Sequence, residues 1–241
     1  MSQFPYIDDY FEASATGPNK GFMFVPDPDM PSEMCDPEKP AASDGYKAWK
    51  LIPSTTTDAD LNDLEESHRI KYPPIYRAFL KSFHYYRLAS FGVEFSSHVI
   101  HRWKTALKVE YEYECHRSLL ARGFIPFGAE QFMDAGATCF DTNNILPNGD
   151  CPIVFWDHEW VGTNKEIRPL FSSGELMFAS LAFAAFAGGN FQYHDDREDD
   201  PADLPLKLKK MATFLSIDPE GAGGVARDYW TTWGVNPDNE A

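Results

Sequence analysis

The chain is short of basic residues, and this shortage narrows the partners that it can bind. Its 241 residues include 21 Lys and Arg against 37 Asp and Glu, which gives a formal net charge of −16. Such a charge repels nucleic acid and anionic membrane surfaces, and it favours basic partners through electrostatic steering. Direct binding of nucleic acid requires a basic surface. We therefore expect neither nucleic acid nor a membrane as a direct partner.

Cysteines and long apolar runs are also scarce. No C-x-x-C pair occurs among the four cysteines, which are Cys35, Cys115, Cys139 and Cys151. In a chain of this length they are interpreted as reduced core thiols rather than as a disulfide framework. The longest apolar run, from Leu176 to Ala187, is too short to span a bilayer. The start, Met1 to Pro5, has no basic or apolar region of a signal peptide, so we expect a cytoplasmic protein.

Signatures of catalysis and of cofactor binding are absent from the sequence. There is no G-x-G-x-x-G segment, no Walker lysine loop and no G-x-S-x-G elbow. Asp157-His158-Glu159 cannot begin an H-E-x-x-H zinc motif because Gly162 stands at the last position, and we interpret it as hydrogen bonding that ends a strand. His98 and His101, at positions i and i+3 of an expected helix, have no evident third ligand.

One further arrangement has to be weighed as a catalytic site. Asp141 and Asp157 could form a carboxylate pair on adjacent strands, but no third group and no basic residue that would bind a substrate accompanies them. We therefore predict a protein that is not an enzyme and that has no catalytic residue, no cofactor and no metal.

The chain is expected to consist of an arm and one domain. Residues 1–44 are acidic and rich in proline, which prevents regular hydrogen-bonded ladders, so the arm should be extended or loop-like. The arm also carries too many large apolar residues for a solvated tail, and it should therefore pack on the core. Residues 45–241 are expected to form a single α+β domain that ends in a helical extension.

Local signals predict the order of elements within this domain. A strand at Tyr46–Ile52 precedes the helices, and turn residues between the later strands favour antiparallel pairing. The expected helices are one opened by a capping box of Thr57 and Asp60, one from Pro74, a long one over Ser97–Arg122, an apolar one over Leu176–Ala187 capped by Ser172 and Glu175, and one over Leu204–Leu215. The expected core strands are Phe124–Phe127, Ala137–Asp141 and Pro152–His158.

Taken in order, these elements resemble the SUKH superfamily, which includes bacterial toxin-immunity proteins and the fungal Smi/Knr regulators. The residues that carry the resemblance are Trp49, Leu64-Glu65, Pro74–Leu80, Phe124–Gly128, Cys139–Asp141, Pro152–Glu159 and Phe171–Ser173. The resemblance implies an α+β fold with a mixed or antiparallel sheet flanked by helices. It also implies a non-enzymatic immunity protein that binds a cognate toxin of the interbacterial, polymorphic type and occludes its active site or substrate groove. The alternative that it implies is a regulatory scaffold of the Smi/Knr type.

Two segments are candidates for the surface that binds this partner. The first is an acidic stretch, which is either a solvated linker or a patch that steers a basic partner. Its carboxylates are Asp195, Asp196, Glu198, Asp199, Asp200 and Asp203. The second is the turn with Glu159 and Trp160, where the indole either anchors an interface or folds back onto the core. The expected partner is a basic toxin, such as a nuclease or another toxin that acts on nucleic acid.

Overall fold

An antiparallel sheet of six strands forms the centre of the fold, and helices pack on both of its faces. The computed structural model describes residues 4–16, 25–26, 30–39, 46–90, 92–130, 136–187 and 204–233. Its strands are β1 (Val25–Pro26), β2 (Tyr46–Lys47), β3 (Ile52–Pro53), β4 (Phe83–His84), β5 (Leu88–Ser90), β6 (Val93–Phe95), β7 (Phe124–Glu130), β8 (Gly136–Asp141), β9 (Ile153–Asp157) and β10 (Ile167–Phe171). Its helices are α1 (Pro5–Thr16), α2 (Asp58–His68), α3 (Pro74–Ser82), α4 (Trp103–Glu112), α5 (Glu114–Ala121), α6 (Gly174–Ala187), α7 (Leu204–Ile217) and α8 (Arg227–Trp233).

The six strands lie side by side in the order in which they follow one another in the sequence. Their order is β10-β9-β8-β7-β6-β5, and every neighbouring pair is antiparallel. Two small sheets, β1-β2 and β3-β4, lie outside it. The α+β class and the antiparallel pairing of the predicted strands are confirmed.

The central strands are buried on both faces, which explains why they are almost wholly apolar. Phe140 of β8 and Ile153 of β9 belong to the main core, to which α3 and α6 also contribute. Their neighbours Cys139 and Val154 belong to a smaller cluster with Leu119 of α5. Successive side chains of a strand point to opposite faces, so the two clusters lie on the two sides of the sheet.

The N-terminal arm begins with a helix, which corrects the expectation of an extended chain. Pro5 occupies the first position of α1, where the N–H that proline lacks would have no partner within the helix. No other proline follows within α1, so the helix can form. Ile7, Tyr10 and Phe11 recur at helical spacing and are buried in the main core. The division of the chain at residue 44 stays a prediction.

The long helix expected over Ser97–Arg122 is wrong, because the structure has two shorter helices there. Before α4, the main chain of His98 pairs with that of Tyr85 through hydrogen bonds of 3.1 and 3.2 Å, and His101 adopts a left-handed φ of 67°. Tyr113, with an extended ψ of 139°, separates α4 from α5. Pairing with a distant strand segment therefore overrides the helical spacing of this stretch.

The strand expected over Tyr46–Ile52 is also interrupted. Only its two ends form strands, β2 and β3. Between them Trp49 makes an isolated bridge to Cys35 and is fully buried. The segment therefore pairs with two different partners in turn, β1 and β4, instead of running along one.

Helix caps are predicted correctly at one helix and displaced by one residue at another. At α2 the Asp60 N–H donates to Thr57 Oγ1 at 3.2 Å while the Thr57 N–H donates to Asp60 Oδ2 at 3.1 Å, as expected. At α6 the cap is Ser173, whose Oγ accepts from the Leu176 N–H at 3.1 Å. The expected pair of Ser172 and Glu175 is wrong.

Ser172 is unavailable as a cap because Asp218 binds it. Fully buried Asp218 accepts hydrogen bonds from the Ser172 hydroxyl at 2.6 Å and from its N–H at 2.7 Å. The same carboxylate accepts from the N–H groups of Gly221 and Ala222 at 2.9 and 3.2 Å. The predicted helix α7 is present. Through Asp218, the residues that follow it are tied to the segment just before α6.

The cysteines are free thiols in different surroundings. Cys139 and Cys151 are buried, as expected of core thiols, and Cys35 is half-buried. Cys115 is exposed, which corrects that interpretation at this position. The break at Tyr113 removes Cys115 from the buried stripe that the uninterrupted helix would have formed.

His84 and His98 form a buried, stacked pair with ring centroids 4.7 Å apart. The Nε2 of His84 accepts from the Thr55 N–H at 3.0 Å, and the Nε2 of His98 lies 3.3 Å from the Thr56 hydroxyl. Burial lowers the pKa of His98 to about 3 and lowers that of His84 as well. Both rings are thus held neutral.

This pair predicts a loss of stability in acid. Between pH 6.5, the pKa of an unperturbed histidine, and the pKa of about 3 in the folded protein, the unfolded chain binds a proton that the native His98 refuses. The free energy of unfolding should therefore fall by about 1.4 kcal/mol per pH unit for that proton as the pH decreases through this window. Urea unfolding measured across the window checks this.

His98→Asn should flatten that slope although it lowers the stability at neutral pH. His158→Asn, at an exposed position, is the matched control and should leave the slope unchanged. An equal slope in the wild type and in His98→Asn would contradict the assignment.

Candidate partner-binding surface

The loop between β9 and β10 carries the predicted Glu159–Trp160 turn, and we call residues 158–165 the Trp160 loop. It begins at Asp157, whose buried carboxylate accepts from the Glu159 N–H at 3.0 Å and from Arg168 Nη2 at 2.7 Å. The hydrogen bonding expected to end the strand at this position is confirmed. The first three residues of the loop form a short 3-10 helix, His158–Trp160.

A second buried carboxylate, Glu166, holds the other end of the loop. Its Oε2 accepts from the Gly162 N–H at 3.0 Å, and its Oε1 accepts from Trp156 Nε1 at 3.0 Å and from the Arg122 guanidinium. The bond from Arg122 is the main cause that lowers the pKa of Glu166 below its usual range. Glu166 therefore remains ionised and retains these bonds at neutral pH.

Bonds within the loop complete its shape. The carbonyl of Trp160 accepts from the Thr163 N–H at 3.0 Å and from the Thr163 hydroxyl at 2.7 Å. The main chain closes between Asp157 and Glu166 through a hydrogen bond of 2.9 Å. A loop held at both ends and across its middle offers its side chains in one arrangement.

Two apolar side chains of the loop are exposed. Trp160 is 42% exposed and Val161 is 60% exposed. The Lys165 ammonium lies 4.5 Å from the centre of the Trp160 ring, within the range of a cation–π contact. The structure thus places the indole at the surface, beside the exposed Glu159. Its part in binding stays a prediction.

The other predicted segment is the acidic stretch. Asp195, Asp196, Glu198, Asp199, Asp200 and Asp203 lie outside the described residues. Their role therefore remains a prediction from the sequence.

The catalytic arrangement weighed for Asp141 and Asp157 does not form. Asp141 lies at the end of β8 that pairs with Phe124, whereas Asp157 lies opposite Gly136 at the other end of the ladder. Asp141 accepts from the side chains of Asn143 and Asn144 at 2.9 and 2.7 Å, which places it in a turn.

Histidines and acidic groups give no metal centre either, as far as the structure describes them. His98 lies in the core and His101 lies 3.2 Å from Glu33 at the surface, so the two do not converge. No group of three or more His, Cys, Asp or Glu side chains in the described ranges could hold a metal ion.

Sequence reasoning missed Glu166, Arg122 and Arg168, the residues that shape the Trp160 loop. Glu166 contacts Trp156 from ten positions away and Arg122 from 44 positions away. No local pattern joins residues at such separations, so only the folded sheet reveals them.

None of the helices in the described part of the chain is both long enough and apolar enough to cross a bilayer.

The protein is of the α+β class, and its described residues include a structured, exposed loop between β9 and β10. Comparison with protein-family models matches residues 55–180 to the SMI1 / KNR4 family (SUKH-1). The match covers just over half of the chain, and the protein belongs to this family. The matched range includes the whole of the Trp160 loop. A search of curated proteins gives no match.

The account of the loop predicts that Glu166 controls its order. Glu166→Ala should free the Gly162 N–H and leave Arg122 unpaired, at a cost of about 1–3 kcal/mol in the free energy of unfolding. The amide order parameter of Gly162 should fall from the rigid range toward the flexible one, below about 0.6. Glu159→Ala removes an exposed carboxylate of the same loop and should change neither quantity. An ordered Gly162 in Glu166→Ala would contradict this account.

Proposed function

We propose that this protein is an immunity protein that binds and neutralises a cognate toxin. The family supports a role of this kind, since SUKH domains are known from toxin-immunity proteins. The observation that carries the proposal here is the Trp160 loop, a structured loop that presents an exposed Trp and Val. The mechanism is occlusion, in which the loop and the acidic surface cover the toxin's active site or substrate groove.

Preorganisation is what makes the Trp160 loop suitable for binding. A loop that is ordered before association loses little further conformational entropy when the complex forms. Tryptophan is also among the residues that contribute most to interface energy, provided that water is excluded around it. Val161, at the next position, extends the apolar surface that the partner would cover.

Charge supports a basic partner. The net charge of −16 accelerates encounter with a cationic protein. Toxins that act on nucleic acid carry basic substrate grooves, and an acidic blocker imitates the phosphates that such grooves bind. The cytoplasm, where such a toxin would meet its target, is the location that this proposal requires.

The second candidate function is a regulatory scaffold. The family description favours it, because the family is named after SMI1 / KNR4. Genomic context separates the two, because a scaffold has no reason to be encoded beside a toxin gene.

Co-expression with the product of the neighbouring gene tests the immunity proposal. The wild-type chain should relieve toxicity and bind the toxin in a pull-down. Trp160→Ala should weaken this binding by roughly ten- to a hundredfold while the thermal midpoint stays unchanged, because the side chain is an exposed anchor. The matched control is Tyr113→Ala. Tyr113 is an aromatic residue 58% exposed just before the first residue of α5, and this variant should bind within about twofold of wild type. If no neighbouring gene encodes a toxin whose effect the chain relieves, the proposed immunity function is wrong.

The acidic stretch has its own kinetic test. Replacing Asp195, Asp196, Asp199 and Asp200 by Asn should slow association with the toxin and flatten its dependence on salt, with little change in the dissociation rate. The matched control replaces four exposed carboxylates of α1 and α2 by their amides, at Asp8, Asp9, Glu12 and Glu66. If the first variant associates at the wild-type rate, the stretch takes no part in steering.

A further inference from the structure

A cleft of about 1110 Å³ opens between α2, α3, the end of α5 and the turn after β8. Apart from Phe4, the residues that line it lie in the part of the chain that matches the family, yet its charge is the opposite of that of the whole protein. Five basic residues line it and one acidic residue does, against a net charge of −16 for the chain. The basic residues are Arg69, Lys71, Arg77, Lys81 and Arg122.

Internal ion pairs account for only part of this positive charge. Arg77 bonds to Glu65 at 2.8 Å and to Asp58 at 2.9 Å, and Lys81 bonds to Asp58 at 2.8 Å. Burial opposes the ionisation of Glu65, but bonds from Lys71, the Tyr72 N–H and Arg77 lower its pKa nevertheless. These pairs fix the position of Arg77, whose side chain is only 17% exposed.

Arg122 is paired with Glu166, whereas Arg69 and Lys71 are exposed at the cleft. The side chain of Lys71 is 76% exposed although it reaches Glu65 at 2.7 Å. Arg69 is exposed, and no ion pair joins it to any residue in the described ranges. Arg69 is the C-cap residue of α2 and has a left-handed φ of 56°. Its N–H donates to the carbonyls of Glu65 and Glu66.

The start of α3 adds a further positive end to the cleft. Pro73 and Pro74 line the cleft, and no side chain caps the helix there. The N-terminal end of a helix carries a partial positive charge that favours anions. Together with Arg69 and Lys71, it makes this side of the cleft attractive to carboxylates.

Apolar side chains line the rest of the cleft. Ile70 and Leu120 are partly buried along it. Ile145, in the turn after β8, is 65% exposed at the cleft. An exposed isoleucine in a cleft that also exposes cations is typical of a surface that binds a partner with both apolar and acidic groups.

We propose that this cleft binds an acidic, extended segment of a partner protein. Its carboxylates lie against Arg69 and Lys71, and an apolar side chain between them contacts Ile145. Nucleic acid is disfavoured as the occupant because the charge of the whole chain repels a polyanion, whereas a short acidic segment meets only the local field. The cleft is basic, whereas the surface proposed to meet a basic toxin is acidic. The proposal for the cleft therefore does not depend on the immunity function.

Fluorescence anisotropy with a defined probe tests the proposal. The probe is a fluorescein-labelled peptide built from the repeat Glu-Glu-Leu, and a Gln-Gln-Leu peptide serves as its uncharged control. The wild-type chain should bind the first, with an affinity that falls as salt is added, and should bind the second at least about tenfold more weakly. Equal binding of the two peptides, or no binding of the acidic one, would overturn the proposal.

Two double variants with the same change in charge locate the binding. Arg69→Asn with Lys71→Gln should weaken acidic-peptide binding by about tenfold, since it removes two exposed cations that line the cleft. Asparagine tolerates the left-handed backbone at position 69, so the fold is retained. Lys104→Gln with Lys108→Gln, which removes cations paired with Asp60 and Asp63 elsewhere, should bind within about twofold of wild type. An equal loss in both variants would show unspecific attraction and refute the site.

A third variant and a competing ligand complete the test. Ile145→Ser should weaken the acidic peptide several-fold without changing the salt dependence, because it removes only apolar contact. A thymidine oligonucleotide should fail to displace the peptide. Displacement by the oligonucleotide at comparable concentration would identify the cleft as a nucleic-acid site and overturn the proposal.

Discussion

Phe79 is the side chain that holds the helices and the sheet in one core. Its ring centroid lies 5.2 Å from that of Phe11 in α1, 4.7 Å from Phe95 in β6 and 5.0 Å from Phe178 in α6. Tilted and stacked aromatic pairs at such distances add stability beyond the area that they bury. Because this one residue of α3 contacts three other elements, it sets where the sheet lies relative to α1 and α6.

Features that depend on neighbouring residues could be predicted from the sequence. The capping box of Thr57 and Asp60, the start of α3 at Pro74, and the three apolar core strands are all set by groups a few positions apart. The class of fold followed from their order. The family resemblance rested on the same segments and was confirmed by the match over residues 55–180.

Features that depend on distant residues could not be predicted. His98 leaves the expected helix because its main chain bonds to Tyr85, and Ser172 leaves the expected cap because Asp218 binds its hydroxyl. The same holds for the candidate site. Trp160 could be named from the sequence, but Glu166, which orders the loop that carries it, bonds to Arg122 from 44 positions away. Competition between local and distant hydrogen bonds decided each of these positions.

The charges of the structure have a common logic. Buried carboxylates such as Asp157, Glu166 and Asp218 each collect several donors, so they shape loops and turns instead of meeting solvent. The acidic residues at the surface leave the chain with its net charge of −16. Among the residues that the structure describes, the exposed Trp160 and Val161 of an ordered loop and the basic cleft stand out against that background.

The central claim is that this protein acts by presenting a preformed surface to another protein. Hydrogen exchange of the chain, free and in complex with the product of the neighbouring gene, tests it most directly. The account predicts that amides of residues 158–165 become protected in the complex while those of the sheet exchange as before. A stable complex in which this loop exchanges as fast as in the free protein would contradict it.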